Sequence, residues 1–73
     1  MSDPKWETER DGRTLRLIDD DCKMYALVWW SVTRWRAHIY DRPGSPEGVT
    51  FDAADAPTGV QMVNDIMNLR RQT

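Results

Sequence analysis

The chain has 73 residues, a formal charge of −2, four tryptophans, one cysteine and one histidine. That length makes one small domain, which buries about 60% of the surface its unfolded form exposes. One cysteine and one histidine exclude a disulfide framework and a four-ligand zinc site of the Cys/His type, so large apolar side chains must supply the stability. The acidic balance argues against a generic nucleic-acid coat. No apolar run approaches the roughly 18 residues of a membrane span, and no membrane partner is expected. Met1-Ser2-Asp3-Pro4-Lys5 does not read as a secretion signal, so a cytoplasmic location is the expectation.

In chain order, residues 1–4 read as a loose end. Asp11-Gly12 between two alternating runs is a hairpin signal. It pairs Trp6 with Leu17 and Thr8 with Leu15 on one face, and Glu7 with Arg16 on the other. Asp19-Asp20-Asp21-Cys22 is the next turn. Lys23 to Ser31 is rich in strand formers. Val32-Thr33 reads as a tight connection, without the Gly or Asn that such turns prefer. Arg34 to Tyr40 is the following strand, ended by a loop over residues 41–48 that is rich in Pro and Gly. Val49-Thr50-Phe51 adds a short fifth strand. A helix then spans about residues 56–71, opened by a Thr58-x-x-Gln61 capping box or by Asp55 with Pro57 in the first turn. The predicted fold is α+β: an antiparallel meander of about four strands, with that short fifth, covered on one face by a single C-terminal helix.

Register arithmetic tests this layout, because a one-residue slip flips every side chain. One face collects Trp6, Leu17 with Met24, Leu15 with Ala26, Ala26 with Ile39, Val28 with Ala37, and Trp30 with Trp35. The helix covers it with Val60, Val63, Ile66 and Met67, with Met62 and Leu69 beside them. The opposite face places Tyr25 near Tyr40, Leu27 near His38 and Trp29 near Arg36, with Arg16 and Arg34 on the same side. An aromatic and basic patch on an open sheet points to a contact surface. The plainer alternative is that the 43–48 loop or the N-terminal arm covers this face.

Other candidates are weaker. The three aspartates lack the ligand offsets and the glycine of a calcium loop, so they read as a solvated acidic turn and no metal is expected. Cys22 beside those acids reads as a passive thiol. Nothing in the sequence sets a nucleophile, a base and an orienting group together, so no catalytic residue and no cofactor are expected.

Two layouts are similar to known domains. Trp35-Arg36-Ala37-His38-Ile39-Tyr40-Asp41, then Val49-Thr50-Phe51-Asp52-Ala53 and a helix, resembles plant AP2 domains and the arm-binding domains of tyrosine integrases. That resemblance implies duplex DNA contacts through Trp29, Arg34 and Arg36. Gly48-Val49-Thr50-Phe51 followed by a helix resembles single-strand-binding domains of the PC4 type. The chain itself is acidic, and its loop before Phe51 is Pro-rich where the first group is basic.

The leading expectation is a non-catalytic module that binds a protein through Tyr25, Leu27, Trp29, Arg34, Arg36, His38, Tyr40 and Arg16. A small regulator or inhibitor of a larger host machine, of the sort phages and mobile elements encode, fits that description. The alternatives are nucleic-acid binding by the same face, stacking on Trp29 and Tyr25, and a structural homodimer that hides the face against itself.

Overall fold

Residues 3–71 are described in a computed structural model of the chain. Five strands, β1 (Lys5–Thr8), β2 (Thr14–Ile18), β3 (Met24–Ser31), β4 (Arg34–Tyr40) and β5 (Gly48–Ala53), lie side by side in chain order. All neighbours are antiparallel. One helix, α1 (Ala56–Arg71), packs against β3, β4 and β5. This is the α+β meander that the sequence predicts. Its fifth strand has six residues instead of the short Val49–Phe51 run. Among the described residues, no helix is long and apolar enough to cross a membrane.

The turns set the registers. Glu9 N–H donates to the Thr14 carbonyl, and Gly12 N–H turns back to Glu9 at φ +69°, so the Asp11-Gly12 signal closes a four-residue loop. Trp6 then faces Leu17 and Thr8 faces Leu15, as expected. The second turn departs from expectation. Asp19 N–H donates to the Lys23 carbonyl and Cys22 N–H to the Asp19 carbonyl, with Cys22 at φ +62°. This is a three-residue hairpin loop ending on a left-handed residue. A bulge follows, with Leu17 opposite Ala26 but Ile18 opposite Met24. The expected pairs Leu17–Met24 and Leu15–Ala26 are therefore wrong by two residues; Leu17 meets Ala26 and Leu15 meets Val28. An even slip keeps each side chain on its own face, so the two-face assignment holds from Ala26 onward. At the bulge it fails: Met24, expected in the core with Leu17, pairs with Ile18 on the outer face, and Tyr25, expected opposite Tyr40 on the outer face, packs against the core layer. The β3–β4 pairs Ala26–Ile39, Val28–Ala37 and Trp30–Trp35 form as expected.

The core lies between the sheet and the helix. Leu17, Ala26, Val28, Ala37, Ile39 and Val63 are buried. Trp6, Leu15, Tyr25, Trp35, Phe51, Val60, Ile66 and Met67 pack around them. Trp30 meets Trp35 edge-on at 5.7 Å, at the margin of this layer. Gly59 lets the helix approach: a methyl there would lie 3.0 Å from Val28 Cγ1. Asp55 caps the helix, its Oδ1 accepting from Thr58 N–H at 2.8 Å. The Thr58–Gln61 box does not form, since Gln61 donates to Asp65 one turn on. Arg70 donates to the Tyr40 carbonyl at 3.1 Å and ties the helix end to β4. Of the end expected to be loose, Met1 and Ser2 lie outside the described residues, and Asp3 is ion-paired to Arg71 at 3.4 Å.

Candidate functional site

The face away from the helix is built in cross-strand rows. One row runs Glu7, Arg16, Leu27, His38, Thr50; the next runs Thr14, Trp29, Arg36, Asp52. The Leu27–His38 and Trp29–Arg36 pairs are those that the sequence predicts. Leu27, Trp29, Arg16, Arg36, His38 and Tyr40 are half-buried on this face, and Arg34 is exposed; Tyr25, also half-buried, packs against the core layer instead. The helix makes its contacts with β3, β4 and β5 from the other side, so this face is left without a layer over it. The 41–47 loop reaches only one corner. Its Gly44 N–H donates to the Met24 carbonyl at 3.3 Å, and Gly44, Ser45 and Pro46 enclose about 240 Å³ with Met24 and Tyr40. Covering by that loop is thus confined to the Tyr40 end.

Tyr25 is fixed by the acidic turn. Its hydroxyl donates to Asp19 Oδ2 at 3.1 Å. Asp19 Oδ1 accepts the amides of Asp21 and Lys23 at 2.9 and 3.0 Å. The Lys23 amide is the largest cause that holds the Asp19 carboxyl below its ordinary value, and the bond to Asp19 pushes the Tyr25 phenol up. Within the run of three aspartates, Asp19 shapes the turn and orients an aromatic ring.

The arginines are matched by carboxylates. Arg16 Nε lies 3.3 Å from Glu9, while Arg34 Nη1 and Arg36 Nε lie 3.1 and 3.2 Å from the two oxygens of Asp52. The Arg16 and Arg36 Nε atoms are buried and their N–H groups are poorly aligned with those oxygens, so we read these two contacts as coulombic pairs and not as hydrogen bonds. Exposed pairs of this kind are worth about 0–1 kcal/mol each, but with Asp52 shared by two arginines they offset two of the three positive charges of the patch.

His38 carries the only contact here with the look of chemistry. Its Nδ1 lies 2.6 Å from Thr50 Oγ1, a base and a hydroxyl in reach of each other. Its Nε2 is buried without a polar partner against Gly48, and its ring meets Tyr40 edge-on at 4.5 Å. A working base needs an orienting group on that second nitrogen; among the described residues none is hydrogen-bonded to it. Thr14, Thr50 and Asp52 are residues of this face that sequence reasoning did not single out. Thr50 lay within the expected fifth strand and lacked only its register with β4, while Asp52 needed that strand to run on past Phe51.

Elsewhere, an open groove of about 410 Å³ runs between β1 and the helix, lined by Trp6, Leu17, Asn64, Met67 and Asn68 among others. Trp6 Nε1 donates to Asn64 Oδ1 at 3.0 Å on its floor. Compared with family models, with curated proteins and with solved structures, the chain matches none.

Proposed function

We propose that this protein is a non-catalytic binding module that engages a partner protein through Leu27, Trp29, Arg36, His38 and Tyr40. The observation that carries this reading is the pairing of each arginine on the aromatic face with a carboxylate within 3.3 Å. Binding to nucleic acid draws most of its affinity from cations on phosphates, and here those cations would have to leave Glu9 and Asp52 first. A surface of Trp, Tyr and arginine stems with most of its positive charge already offset is the composition of protein-binding hot spots. A cytoplasmic regulator or inhibitor of a larger assembly fits such a module, and its single cysteine suits a reducing compartment.

The test is capture from lysate of the source cells, split into nuclease-treated and untreated halves, with Trp29→Ala/Arg36→Ala as control bait. A protein band that survives nuclease and disappears with the control bait supports the proposal. Recovery that depends on intact nucleic acid, with affinity falling steeply in salt, assigns the face to nucleic acid instead. Equal capture by both baits removes the face from consideration.

A further inference from the structure

The two edges of the sheet are unlike. β1 has four residues, follows Pro4 and carries Lys5 and Glu7, the devices that keep an edge from pairing. β5 has six residues, Gly48-Val49-Thr50-Phe51-Asp52-Ala53, with no proline and no lysine. Its one charge, Asp52, is already held by Arg34 and Arg36. The hydrogen-bond phase fixes what this edge presents. Asp41 N–H donates to the Glu47 carbonyl, so by antiparallel alternation Val49, Phe51 and Ala53 turn their backbone groups toward β4. Gly48, Thr50 and Asp52 turn theirs outward.

The helix is unlike on its two flanks as well. At 100° per residue, Asn64, which bonds Trp6 of β1, shares a flank with Gln61, Asn68 and Arg71. Met62, Ile66 and Leu69 fall on the opposite flank, above β5. Val49, Met62 and Leu69 are 57%, 37% and 63% exposed. Three of the five large apolar side chains exposed among the described residues therefore border one edge.

We infer that β5 pairs antiparallel with β5 of a second copy about a two-fold axis at Thr50. In that register Thr50 faces itself, Val49 faces Phe51, and Asp52 faces Gly48, whose missing side chain leaves room for the carboxylate. All three outward residues find backbone partners, and no like charges meet. The same axis brings each Met62/Leu69 flank toward its counterpart. A strand edge that is its own complement in apolar pattern and in charge selects a second copy as occupant. The product is a continuous ten-stranded sheet with two aromatic faces side by side.

Light-scattering mass, measured from micromolar to millimolar concentration, tests the inference. Wild type is expected at twice the 8.5 kDa chain mass. Val49→Lys/Leu69→Lys, which alters exposed side chains only, is expected at 8.5 kDa with an unchanged circular dichroism spectrum. Thr50→Pro removes one outward N–H and is expected to weaken the dimer at least tenfold. A wild-type monomer throughout the range overturns the inference. So does a dimer that survives Val49→Lys/Leu69→Lys, or one lost with Trp29→Ala, which would set the contact on the aromatic face.

Discussion

Replacing Val32 by glycine should make the protein more stable. The β3–β4 connection has two residues, Val32 and Thr33, between the paired Ser31 and Arg34. Val32 has φ +59° and Thr33 N–H folds back onto the Ser31 carbonyl. A left-handed backbone at a branched residue costs of order 1–3 kcal/mol. Val32 is 86% exposed, so its side chain returns almost no burial. Glycine relieves the strain and gives back about 0.5–1 kcal/mol as extra freedom of the unfolded chain. The net gain is about 1 kcal/mol, which raises Tm by roughly 4–8 °C in a domain of this size. Urea titration and thermal melts of wild type, Val32→Ala and Val32→Gly would read it, with alanine expected between the other two. If Val32→Gly melts at or below wild type, the strain argument is refuted.

Gly48→Ala should cost about 1–3 kcal/mol, the range for overpacking, because its methyl would run into the Ile39 carbonyl oxygen and lie 2.8 Å from His38 Nε2; denaturant unfolding would show the midpoint fall. Gly59→Ala should also destabilise, against a helix-propensity gain of about 1 kcal/mol, since Val28 is fully buried in a central strand and cannot yield; a higher midpoint would sink this expectation. Asp19 and Asp55 have carboxyls held below the ordinary 3.8 by the Lys23 amide and by Thr58 respectively. Their contribution is complete above that value and drains as pH falls through the lower folded values, so Asp19→Asn/Asp55→Asn should flatten the acid limb of Tm against pH. Tyr25 runs the other way: its raised phenol stabilises below the ordinary 10.0 and loses that contribution as pH rises through the folded value, a loss that Tyr25→Phe should abolish.

The two faces were legible in the sequence because period-two alternation in Leu15–Leu17, Ala26–Val28 and Ala37–Ile39 is blind to everything except parity. The same blindness hid the β2–β3 register. Leu17 against Met24 and Leu17 against Ala26 satisfy the apolar pattern equally. The choice was made by Asp19 closing a three-residue loop and by a bulge at Tyr25, and neither has a compositional signature. Cys22 takes a left-handed position where glycine is the usual marker, so turn chemistry gave no cue. The working surface was readable to the extent that it depends on β3 and β4. Its partner Asp52 on β5 was not, because the strand continues through Asp52 and Ala53, residues with little strand preference, held there by Arg34, Arg36 and Trp35 across the ladder; Thr50 lay in the expected strand, but its contact with His38 depended on the β4–β5 register.

Strand order equal to chain order has a kinetic consequence. Every ladder joins neighbours in sequence, so the sheet can zip hairpin by hairpin with only short loops to close, the condition under which small domains fold fastest. The helix is the last of these elements to leave the ribosome. Until it docks, Ala26, Val28, Ala37 and Ile39 stand bare on a sheet that is already complete. The order of the elements thus leaves the covering of this apolar plane to Ala56–Arg71, the segment that follows the last strand.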